Sequence, residues 1–125
     1  MTHFNNARSA ARLAANGRDT HFQAADRLGT ADAWHFITAG HGYIAAHVPG
    51  LTARLADVLR ENEWLYVDLD NEIVAGEEDC AAAVVLWVAK MRGAELPEYI
   101  EAPKLAESVE RWFPGTLDKI GAALA

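Results

Sequence analysis

With 125 residues, 51% of them hydrophobic and 23% charged, the chain is long enough to bury one core and too apolar to stay disordered. Its net charge of -7 argues against direct nucleic acid binding, and its single cysteine excludes an internal disulfide. The longest apolar run, Cys80 to Ala89, is too short to cross a bilayer, and Met1 to Asn6 lacks the basic-then-apolar order of a secretory signal, so a cytoplasmic protein is expected.

Residues 5–15 are rich in alanine and arginine and predict a helix stopped by Asn16-Gly17. Thr20-His21-Phe22-Gln23 is a capping-box pattern and predicts a second helix, with Phe22, Ala25 and Leu28 on one face and Gly29 at its end. Residues 34–48 are rich in aromatic and β-branched side chains and predict a hairpin, Trp34 to Ala39 and Ile44 to Val48. Gly40-His41-Gly42 is its expected loop. Pro49-Gly50 ends the hairpin, and Leu51, Leu55, Val58 and Leu59 then recur at helical spacing up to Asn62.

A second hairpin is expected from Trp64 to Leu69 and Glu72 to Ala75, turning at Asp70-Asn71, with Leu65, Val67 and Leu69 on one face and Trp64, Tyr66 and Asp68 on the other. The next helix should run from Glu77 to Arg92, with acids in its first turn, Lys90 and Arg92 in its last, and Gly93 beyond. Its middle is apolar all round, which implies burial. Pro103 suits the first turn of a further helix striped by Leu105, Val109, Trp112 and Phe113. Pro114-Gly115 breaks it, and Thr116 opens a last helix bearing Leu117, Ile120 and Leu124. The expected fold is α+β: a four-stranded antiparallel sheet of two hairpins packed against several helices. It reads as a single domain over 1–125, with a helical segment 1–30, an α+β core 31–93 and a helical segment 94–125.

Two short signatures stand out, Gly40-His41-Gly42-Tyr43 and Glu77-Glu78-Asp79-Cys80. His41 between glycines reads as an exposed loop-tip acid/base or partner contact, or as a tolerated turn residue. Acids at a helix N-terminus have a purely structural account in the helix dipole, and Cys80 reads equally as core. Nucleophilic use of Cys80 is opposed by the three carboxylates beside it. With Ala39 opposite Tyr43, His35 would face His47. Such a pair could hold zinc if Glu77, Asp79 or Cys80 supplied a further ligand; the plainer reading is a half-buried cross-strand pair. No phosphate-binding glycine loop is present, and the only serines, Ser9 and Ser108, fall in predicted helices. No cofactor is therefore expected.

Charge is unevenly placed. Residues 1–56 carry five basic and three acidic side chains, and residues 57–125 carry six and fifteen. The acidic half is either a solvated face or a recognition surface for a basic partner.

Taken together, Gly40-His41-Gly42-Tyr43, Trp64-Leu65-Tyr66 and Glu77-Glu78-Asp79-Cys80 resemble the pattern of a family of small proteins carried by plasmids, phages and other mobile elements. The resemblance covers about a third of the chain, and Ala81-Ala82-Ala83 stands where that family commonly has an aromatic. It implies a mobile-element setting without an established activity. In that setting small acidic proteins often inhibit host defences of the CRISPR or restriction type. The expected function is therefore a non-enzymatic inhibitor that covers a basic surface of a host protein or nucleoprotein complex. Its expected contacts are Asp57, Glu61, Glu63, Asp68, Asp70, Glu72, His41, Tyr43, Glu77 and Glu78. The alternative is a small enzyme using His41 with Cys80 or a carboxylate, with zinc on His35 and His47 as one form of it. A structural or oligomerisation module is a third.

Overall fold

The computed structural model describes residues 2–16, 21–79 and 81–124. Ten elements follow in order: α1 (Thr2–Ala14), β1 (Ala24–Arg27), β2 (Ala33–Ile37), β3 (Gly42–His47), α2 (Ala53–Arg60), β4 (Leu65–Asp68), β5 (Ile73–Glu77), α3 (Ala82–Met91), α4 (Ala102–Trp112) and α5 (Thr116–Leu124). The fold class is α+β, but the antiparallel sheet has five strands rather than four, in the order β1-β2-β3-β5-β4.

The additional strand replaces the helix expected after Thr20, a residue outside those described. Ala24 to Arg27 pair with Ile37 to Trp34, and Gln23 donates its N–H to the Ile37 carbonyl at 2.8 Å. Weak local helix preference loses to the open edge of β2, which supplies partners for the β1 backbone groups that face it. Gly29 takes φ +60° in the turn between β1 and β2 instead of ending a helix. All four β1 residues are exposed, and Asp26 and Arg27 place charge on the short outer strand, a common guard against edge-to-edge association.

The central strands β3 and β5 are buried along almost their whole length, because the sheet is covered on both sides. On one face, Trp34, Phe36, Tyr43, Ala45, Ile73 and Ala75 pack against α1. That helix presents Ala7, Ala10 and Ala11, followed by Ala15, all buried. Small residues at helical spacing let it lie close over large aromatic rings. On the other face, Ile44, Ala46, Leu65, Val67 and Val74 join the buried residues of α2 and α3. Helix α4 packs on α3, and α5 on α2 and α4. Thr52 caps α2 by accepting the Leu55 N–H at 3.1 Å.

Both hairpins exist, and they are joined by a pairing of β3 with β5. The second keeps its expected register: Asp68 opposes Ile73, and Leu65 and Val67 face the α3 side while Tyr66 packs against the α1 cluster. The left-handed residue of its turn is Glu72, at φ +57°. The first hairpin has a different register. Thr38 and His41 close it around Ala39-Gly40, with the Thr38 N–H donating to the His41 carbonyl at 2.8 Å and the Thr38 hydroxyl to the same oxygen at 2.9 Å. His35 therefore opposes Ile44 instead of His47. The offset is an odd number of residues, so it also moves His35 and His47 to opposite faces of the sheet.

The helix expected from Glu77 begins later. Pairing with β3 continues through Tyr43 opposite Glu77, which draws Glu77 into the sheet, and Glu78-Asp79 lie in a turn. Helix α3 starts at Ala82 without a side-chain cap and ends as expected, before Gly93 at φ +94°. No helix among the described residues is long and apolar enough to cross a membrane.

Candidate functional site

The two signatures, far apart in sequence, meet at one end of the sheet. Gly42 is the first residue of β3 and Glu77 the last of β5. Tyr43 opposes Glu77, and the Glu78 N–H donates to the Gly42 carbonyl at 2.9 Å. Two histidine–glutamate pairs result. His35 Nε2 and Glu78 Oε2 lie 2.5 Å apart on the α3 side, and His41 Nδ1 and Glu77 Oε1 lie 3.8 Å apart on the α1 side. Alternation of side chains along the strands puts the pairs on opposite faces. The Thr38 hydroxyl fixes the approach by accepting the His41 N–H at 2.9 Å.

Gly42 has a specific role in this arrangement. A Cβ there would sit 2.6 Å from His35 Nε2 and closer still to the Glu78 carboxylate, so the glycine opens the space in which that pair forms. Gly42→Ala is expected to separate His35 from Glu78 at a small cost in stability, because an exposed glutamate side chain can swing away. Loss of the hydrogen-bonded ring N–H signal of His35 in proton NMR, with near-native unfolding, is the expected result. An unchanged signal would contradict it.

Around this end lie Glu63, Glu78 and Asp79, all exposed, with Trp64 at 44% exposure just before Leu65, the partner of Gly76. The other expected contacts are dispersed. Asp57 and Glu61 are on the outside of α2 and in the residue that ends it, with Glu61 Oε1 3.3 Å from Lys119 Nζ of α5. Asp68 accepts the Asn71 N–H and side-chain amide within its own turn, and Asp70 lies exposed in that turn. Glu72 accepts the Gly50 N–H at 2.8 Å and approaches His47 Nε2 at 3.4 Å. These turn residues stand at the opposite end of the sheet from the signatures, so the expected acidic surface divides in two. Tyr43 is fully buried beside Phe22 and leaves the set of surface contacts. The cross-strand pairing of His35 with His47, and with it the alternative of zinc held between them, is excluded by their placement on opposite faces. Cys80 lies outside the described residues.

A second group of side chains was not singled out by the sequence: His3, Asp32 and His47, whose ligand-type atoms all lie within 4.8 Å of one another. One signal for it existed. His3 sits four residues before Ala7 and eight before Ala11, so a polar ring occupies the buried stripe of α1. Compared with known proteins, the chain matches no family model, no curated protein and no solved structure.

Proposed function

We propose that the chain is a non-enzymatic acidic binding protein that inhibits a host nucleic-acid-targeting defence complex by occupying a basic surface with the signature end of its sheet. The mobile-element setting, and with it the anti-CRISPR or anti-restriction type of target, comes from the family resemblance of the signatures. One observation carries the choice of surface: the signatures converge on a single end, where His41, Glu78 and Asp79 are exposed and the exposed Glu63 and Trp64 lead into β4 beside β5. Clustered carboxylates repel phosphate and attract the arginines and lysines that normally hold it, and an exposed tryptophan adds a large apolar contact. The binding is steric and electrostatic, so it weakens as salt rises.

The test is displacement of labelled nucleic acid from a panel of purified CRISPR effector complexes and restriction enzymes. Inhibition of at least one member is expected. It should fall about tenfold or more in the doubly charge-reversed Glu63→Lys/Asp79→Lys protein, and stay unchanged in Asp70→Lys at the far end. Inhibition of no member, or equal inhibition by the first variant, would overturn the reading.

One observation favours a second reading, the small enzyme: a carboxylate, Glu77 Oε1, lies 3.8 Å from Nδ1 of the loop-tip imidazole of His41, within ion-pair reach. A Cys80 thiol that titrates well below about 8.5 would support it, and a thiol of ordinary reactivity would count against it.

A further inference from the structure

We infer that His3, Asp32 and His47 form a binding site for a divalent transition-metal cation of the zinc class. The site goes beyond the proposed binding surface and lies at the other end of the sheet, where His47 opposes Ile73.

The backbone brings two of the three together. The His47 N–H donates to the Asp32 carbonyl at 2.8 Å, so Asp32 stands directly across from His47, one step before β2. Both side chains fall on the α1 side of the sheet. The first turn of α1 then lays His3 over His47, with ring centroids 3.8 Å apart and planes inclined by 22°. All three ligand atoms lie within 4.8 Å of one another.

Two further observations point to an ion. His3 Nδ1 is buried and has no hydrogen-bond partner, so stacking alone leaves a polar atom unsatisfied, and a coordinate bond would satisfy it. Asp32 is already oriented as a ligating carboxylate usually is, by a charged neighbour: Arg27 Nη2 lies 3.3 Å from its Oδ1. With Oδ1 engaged by Arg27, the ligand we assign to the ion is Oδ2. Glu72, whose Oε1 lies 3.4 Å from His47 Nε2, supplies a fourth group or leaves that position to water.

Two imidazoles and one carboxylate are a borderline ligand set that suits zinc-like ions rather than calcium or magnesium. Tetrahedral zinc with bonds near 2.1 Å holds its ligand atoms about 3.4 Å apart. Closing to that spacing from the present one requires the two stacked rings to tilt toward a common point. An open cleft of about 300 Å³, lined in part by Asp32 and His47, gives the ion a way in. Bound there, the ion ties the first turn of α1 to the β2–β3 ladder.

The experiment uses the full chain without added residues, freed of metal by chelator and titrated with zinc sulfate by calorimetry and with cobalt(II) by absorption. One ion per chain is expected, with a thermal midpoint raised by zinc. His3→Ala and His47→Ala should each weaken binding about 100-fold or more, and Asp32→Asn about tenfold. His35→Ala/His41→Ala and Cys80→Ser should bind as the unaltered protein does. Circular dichroism checks folding; if His47→Ala unfolds, His3→Ala decides. Absence of stoichiometric binding, binding that survives His3→Ala, or binding lost in the His35/His41 or Cys80 variants would each overturn the site.

Discussion

Replacing Phe36 with alanine is expected to lower the free energy of unfolding by about 3–5 kcal/mol, the largest effect of any single truncation in this fold. Phe36 is fully buried at the middle of the α1 side of the sheet. Its ring lies 5.7 Å from that of Phe4 on α1 and 5.2 Å from that of Phe22. The cost is set by what happens to the vacated space. Beyond Phe4 the facing stripe of α1 is alanine, which has no side-chain length to move into the hole, and the rings of Phe4 and Phe22 can fill only part of it. The cavity therefore persists and adds its own term to the lost transfer energy. Urea unfolding followed by circular dichroism measures the change. Native-state hydrogen exchange should show α1 losing protection ahead of α3, because α1 depends on this cluster and α3 does not. A change below about 1 kcal/mol would mean that α1 is anchored elsewhere.

The second large effect is expected at Gly76. A Cβ there would lie 2.8 Å from the Ala81 Cβ, 3.0 Å from Leu65 Cδ2 and 3.3 Å from the Ala81 carbonyl carbon. Unlike Gly42, whose obstacles are the ends of an imidazole and a carboxylate, Gly76 faces short, buried groups at the entry to α3 that have nowhere to go. Gly76→Ala should destabilise by about 1–3 kcal/mol through overpacking, and Gly76→Val by more. Relief by a second change gives the sharper measurement. Ala81→Gly removes the nearest clashing atom, so Gly76→Ala/Ala81→Gly should recover part of the loss and show a coupling of about 0.5–3 kcal/mol. Strictly additive costs would show that the close approach of β5 to the start of α3 is not what Gly76 provides.

The helices at 2–14, 53–60, 82–91, 102–112 and 116–124 were legible because each carries apolar residues at helical spacing or a proline or glycine at its end. The second hairpin was legible to its register, since its alternation and turn agree. The two main errors share a cause, the absence of long-range information. Ala24-Ala25-Asp26-Arg27 has little character of its own and becomes a strand because β2 offers an edge. Glu77-Glu78-Asp79 looks like a helix start, and local rules favour that, but β3 is long enough to hold Glu77 in the sheet. The register of the first hairpin failed for a smaller reason. The local pattern predicts a three-residue loop, Gly40-His41-Gly42, whereas Thr38 closes the turn one step earlier and leaves Gly42 to make room for a side-chain pair. Within the site, the two signatures were visible as signatures, but their contact depends on the β3–β5 pairing, which no local pattern announces.

The two histidine–glutamate pairs stand on either side of a sheet one chain thick, with α1 shielding one side and α3 the other. A macromolecule arriving broadside meets a helix and at most one pair. To touch both at once it must come in along the strand axes and straddle the rim, as a clamp takes the end of a plank. Recognition of that kind would select a cleft or a pair of jaws over a flat patch.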